Sequence, residues 1–108
     1  MPLYMTQVSY KPEAMAKMIS STDSRSSKVA KHIEQVGGKM ICFYFTLGDY
    51  DAVGIFDFPD GVSALSVLSA AWSADFLTKM KTIELFSADE GLEAFKKAGQ
   101  VEITPPKG

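Results

Sequence analysis

Asp49, Tyr50 and Asp51 set two carboxylates on either side of a phenol at three consecutive positions. Such a group can bind a cation or serve as acid and base. It follows Gly48 directly, so it can equally be a turn. Gly48 takes positive φ at no steric cost, Asp49 bonds to nearby backbone, Asp51 caps loose N–H groups and Tyr50 packs on an edge. Turn acids are commonplace, and that plainer reading is preferred. Asp57 is more informative, being a carboxylate in an otherwise apolar run from Ala52 to Phe58. A carboxylate there is normally paired with a donor or a cation. Meeting Tyr44 or Glu84 in a small apolar pocket, it becomes a proton-transfer group; lying near the end of its run, it can instead simply reach water.

His32 is the only histidine, the one side-chain type here that ordinarily exchanges protons near neutrality. It flanks an apolar helix stripe, as does Arg25, and both are expected to be partly buried. With no second histidine and no cysteine pair, a zinc site lacks its usual ligands, so no metal is expected. The single cysteine, Cys42, has no internal disulfide partner and no visible activating base, and reads as a small core residue. The candidates for catalysis are Asp57, Tyr44 and His32. Those for ligand binding are Tyr44, Asp57, Arg25, Tyr50 and Asp51.

The elements that position these groups centre on Lys39 to Asp60. Residues 40–47 and 52–58 are short runs of strand formers joined at Gly48-Asp49 and ended by Pro59, which predicts a hairpin. Strict alternation puts Ile41, Phe43, Phe45 and Leu47 on one face, with Met40, Cys42, Tyr44 and Thr46 on the other. On the second strand Val53, Ile55 and Asp57 oppose Ala52, Gly54, Phe56 and Phe58. Neither strand has a wet face, so something must cover each side.

Ahead of the hairpin, Leu3 to Tyr10 reads as a strand. A helix follows from Pro12 to about Ser20, with Ala14, Met15, Met18 and Ile19 inward. A second helix capped by Thr22 or Asp23 runs to Val36, carries Val29, Ile33 and Val36 as its stripe, and stops at Gly37-Gly38. After the hairpin, Asp60 caps a helix from Gly61 to about Ser73. Ala64, Leu65, Val67, Leu68, Ala71 and Trp72 gather on its sheet side, and a stripe of serines on its outer side reads as solvated. Phe76 to Ser87 reads as the last strand. Ser87 and Glu90 have capping-box spacing for a final helix to Ala98, anchored by Leu92 and Phe95. Val101–Ile103 is a candidate extended piece.

A length of 108 residues suits one domain, placed at residues 1–99 with a tail at 100–108. A formal net charge of −2 and no basic cluster argue against a nucleic-acid footprint. No apolar run approaches the roughly 20 residues needed to span a bilayer, and no signal-peptide pattern is seen, so a cytoplasmic location is the default. Strand, split helix, two strands, helix, strand and helix make an α+β chain. The order predicts a ferredoxin-like four-stranded antiparallel sheet with helices on one face. Its other face, apolar and bare, calls for a homodimer or higher homo-oligomer in which two sheets meet as a dimeric α/β barrel.

Leu47-Gly48-Asp49-Tyr50-Asp51, with Gly37-Gly38-Lys39 before it and Pro59-Asp60 and Thr82 to Glu90 after, resembles the GYD domain family of small bacterial and archaeal proteins. The likeness covers most of residues 2–98. It places the naming motif on Gly48, Tyr50 and Asp51 and matches Arg25 to a basic residue opening the long helix. Ser73 to Thr78 departs from the pattern, where glycine and arginine are expected. The resemblance implies the dimeric α/β-barrel fold and no established activity. Superfamily analogy adds cofactor-free proton transfer on a small apolar ligand; a haem would need an axial ligand that a histidine on a packed helix is poorly placed to give. The other reading is a non-catalytic assembly or regulatory module with a filled barrel interior.

Overall fold

The computed structural model describes residues 2–107. Its elements follow in the order β1 (Leu3–Tyr10), α1 (Pro12–Ser20), α2 (Arg25–Glu34), β2 (Lys39–Phe45), β3 (Ala52–Asp57), α3 (Gly61–Ser73), β4 (Leu77–Leu85) and α4 (Ala88–Ala98). The sheet is ordered β2-β3-β1-β4, with every neighbouring pair antiparallel. This is the ferredoxin-like α+β plan. Helices α1, α2 and α3 pack on one face, where Ile33, Phe56, Phe58 and Ala64 form one buried cluster and Tyr10, Ala52 and Leu77 another.

Cross-strand partners share a face. The registers Tyr4–Phe56, Thr6–Gly54 and Val8–Ala52 therefore define the helix side, while Leu3–Asp57, Met5–Ile55 and Gln7–Val53 define the other. On β4 the second face continues with Lys81, Ile83 and Leu85. No element among the described residues covers its apolar centre.

Strict alternation fails on β2. Met40 pairs with Phe56 and Cys42 with Ile55, so an irregularity at Ile41 shifts the register. Beyond it the faces exchange. Phe43 and Phe45, opposite Gly54 and Ala52, join Met40 on the helix side, and Ile41 stands exposed. A bulge adds one residue without a partner, and period-two reasoning cannot register it.

Four other expectations need correction. Helix α2 is capped by Ser24, whose Oγ accepts from the Ser27 N–H at 3.3 Å, and ends at Glu34, short of Val36. Asp23 instead pairs with Lys28 at 3.1 Å. Ile19, Leu65 and Trp72 are exposed, because α1 and α3 each turn only a narrow strip to the sheet. In α4 the capping box forms, yet Leu92 and Phe95 are exposed and the helix buries no side chain. Residues 101–107 form no strand. The radius of gyration, 17.5 Å, exceeds the roughly 13 Å of a compact chain this long.

Candidate functional site

Between the helix side of the sheet and α2 and α3 lies a cavity of about 80 Å³. Its floor is the middle of the sheet, where Thr6 stands opposite Gly54 and Val8 opposite Ala52. Its roof is Val29, Ile33, Val67 and Ala71. A well-packed interior leaves few voids larger than one water. Thr6 and Ala52 are small beside it, while the Phe56 ring lies over Gly54. The Thr6 hydroxyl is already bonded to that of Thr82 at 2.9 Å, so the floor offers no unsatisfied hydroxyl.

A wider cleft of about 580 Å³ adjoins it between α1, the start of α2 and the β2 edge. The two share Tyr10, Arg25, Phe43 and Phe76 as common walls. Arg25 is held there by aromatic rings rather than by acids. Its guanidinium carbon lies 5.1 Å from the centre of the Phe76 ring and 5.8 Å from that of Tyr10, and those rings are themselves stacked 6.3 Å apart. This is cation–π geometry. Its Nε is buried and hydrogen-bonded to nothing among the described residues. His32, two turns further along α2, borders the cavity from its exposed position and also lines a groove between α2 and α3.

The sequence allows a pocket between two facing sheets in which Asp57 meets Tyr44 or Glu84; the cavity within one copy of the chain lies on the other side of its sheet. Tyr44 and Asp57 lie on the bare face, opposite Val53 and Lys39, and Glu84 pairs with Tyr4 on the helix side. Tyr44 and Asp57 are also four residues apart along the sheet, about 13 Å, and cannot share one small ligand atom. Asp57 Oδ1 is buried without a hydrogen-bond partner among the described residues. Cys42 faces the bare side too, half-buried against Ile55.

Of the two turn acids, Asp51 has its carboxylate engaged by backbone, whereas the bonds at Asp49 are made by its main-chain carbonyl. Asp51 Oδ2 accepts from the Tyr10 N–H at 2.9 Å, and the Asp51 N–H donates to the Val8 carbonyl at 2.8 Å. The Asp49 carbonyl accepts from Ser9 Oγ at 3.1 Å and from Lys79. Tyr50 lies under Lys79, whose Nζ is 4.6 Å from its ring centre. Neither Tyr50 nor Asp51 borders the cavity or the cleft.

Sequence reasoning missed Phe43, Phe76 and the small-residue floor. The signal was present as Thr6, Ala52 and Gly54, but only the strand register shows them to be neighbours. Among the described residues no group of three or more His, Cys, Asp or Glu is placed to hold a metal ion. No helix of the described residues is long and apolar enough to cross a membrane.

A family model, described as the GYD domain, matches residues 4–95. Among solved structures the chain is similar to the crystal structure of MtbAldR, with a TM-score of 0.59 and 17% identity over 80% of this chain and 53% of that one. It thus spans about half of that protein. It is also similar to TTHA0845 from Thermus thermophilus, with a TM-score of 0.54 and 16% identity over 82% of this chain and 96% of that one. At such identities the likeness is one of fold alone. No curated protein matches the chain.

Proposed function

The chain belongs to the GYD domain family, and from that premise we propose that it binds a small, largely apolar molecule between its sheet and helices α2 and α3. We further read it as a homodimer joined through the bare face of the sheet. The observation that carries the binding reading is the unfilled apolar space beside Thr6, Ala52 and the Phe56 ring, opening into a cleft large enough for the rest of a ligand. Among the groups that border it, only His32 is of the type that exchanges protons near neutral pH, so a cofactor-free proton transfer would run through His32.

Pairing is supported by Leu3, Met5, Val53, Ile55, Ile83 and Leu85, which share a face that no described element covers. That same face supports the second reading, a purely structural or regulatory assembly module. The open cavity weighs against it, because a module with only packing to do has no reason to leave the space unfilled.

Titration of the labelled protein with indole, followed by amide NMR, tests the binding reading. Shifts are expected at Thr6, Ala52, Gly54 and Val67. Shifts confined to Val53 and Ile55 on the other face, or none at millimolar indole, would overturn it.

A further inference from the structure

Arg25 is a permanent cation with no anion of its own. Among the described residues no carboxylate pairs with it. The nearest acid in sequence, Asp23, is taken by Lys28, and Asp75, across the cleft wall from Phe76, is taken by Lys11. The buried Nε–H donates to nothing among the described residues. A donor left in that state is costly, and more so on a charged group. Tyr10 and Phe76 offset part of the loss by facing their rings to the guanidinium, but rings cannot accept the in-plane N–H bonds that a carboxylate accepts.

The placement of this side chain matters as much as its lack of a partner. Arg25 is common to the inner cavity and the outer cleft, so it stands at the neck between them. Inward of it, Val8, Phe56, Val67 and Leu68 offer only hydrocarbon and the Thr6 hydroxyl is already bonded, so the other polar side chains on the lining are Tyr10 and His32. A molecule seated there meets apolar surface at one end and a single unpaired cation at the other.

The geometry points to a small planar organic monoanion as the ligand, of the aryl carboxylate class. Its ring occupies the inner cavity, and its carboxylate accepts from the Arg25 guanidinium at the neck. This rests on the binding reading above and adds the charge and shape of the molecule bound. A single guanidinium fork matches a single carboxylate, which is why one negative charge is assigned.

Calorimetric titration of the full chain with benzoate and, separately, with benzyl alcohol tests it, since the two share a ring and differ in charge. Benzoate is expected to bind about tenfold or more tightly than benzyl alcohol at low salt. The margin should shrink as salt is added. Arg25→Met should abolish that margin, the two compounds then binding alike, and Arg25→Lys should keep part of it. Equal affinities of the wild-type chain for the two compounds would overturn the anion assignment and leave the cavity reading standing. Binding of neither would overturn both. Should Arg25→Met not fold, the wild-type contrast and its salt dependence decide alone.

Discussion

Asp51 Oδ2 accepts a hydrogen bond from the Tyr10 backbone N–H at 2.9 Å, across forty-one residues of chain. The bond sits just past the last β1–β3 rung, Val8–Ala52, on the edge of β1 where the Val8 carbonyl accepts from the Asp51 N–H. An amide beyond the end of its ladder has no strand partner, and a buried amide needs one. Asp51 supplies it, and so ties the hairpin turn to the strand that carries Tyr10 under Arg25. The acid that follows the signature phenol therefore serves the scaffold.

Asp51→Ala is accordingly expected to lower unfolding free energy by about 1–3 kcal/mol, the cost of stranding an amide. Asp51→Asn keeps an acceptor oxygen and should lose less. Urea denaturation of the three proteins checks this, and equal midpoints for Asp51→Ala and wild type would contradict it.

Gly54 lies under the ring of Phe56. A Cβ built at Gly54 stands 2.4 Å from Phe56 Cζ, and Phe56 is buried. Gly54→Ala should therefore displace that ring at a cost of about 1–3 kcal/mol, as overpacking in a core commonly does. The same methyl intrudes on the cavity floor, so indole binding should fall in parallel. A variant as stable as wild type, binding indole normally, would show that the ring moves aside freely.

Ile55 is at the centre of the bare face, between Met5 and Cys42. Sedimentation of the wild-type chain is expected to give twice the 11.8 kDa of one copy. Ile55→Arg should give one copy, because an arginine there would carry a charge into an apolar interface. Its far-ultraviolet circular dichroism should stay native, as the residue does not reach the helix-side core. A wild-type monomer at tens of micromolar would remove the pairing proposal.

Two caps set the acid response. The Ser63 N–H donates to Asp60 at the start of α3, and the Ser87 N–H donates to Glu90 at the start of α4. These bonds, foremost those from the backbone amides, hold both carboxyls below their ordinary values of 3.8 and 4.5. A depressed acid favours the folded state fully above its ordinary value and ceases to as pH falls through the depressed one. Amide exchange at Ser63 and Ser87 should therefore accelerate as pH drops below 3.8 and 4.5 respectively, beyond the intrinsic pH dependence of exchange. Asp60→Asn should flatten the response at Ser63, because asparagine caps without titrating. Protection at Ser63 that persists well below 3.8 in the wild-type chain would refute the assignment.

Much of the architecture was readable because its signals are local. Strand periods, Pro12 at a helix start, Asp60 and Ser87 as caps and Gly37 at φ +78 each act within three or four residues. The site was less readable. Asp57 stands out as an acid among apolar neighbours, yet it lies on the bare face, away from the cavity within one copy of the chain. Arg25 was found through its place at the head of a helix. The aromatic rings that hold it come from β1 and from the residue just before β4, which nothing in its local sequence connects.

The amino-acid order alone determined the elements, their antiparallel hairpin and the existence of a sheet apolar on both sides. Tertiary structure alone decided which side holds the cavity. The reason is that the cavity depends on Thr6 coming opposite Gly54 and Val8 opposite Ala52 from strands far apart in the chain, and the phase of β2 depends on one unpaired residue at Ile41. Neither is a property of any stretch of sequence short enough to show a period.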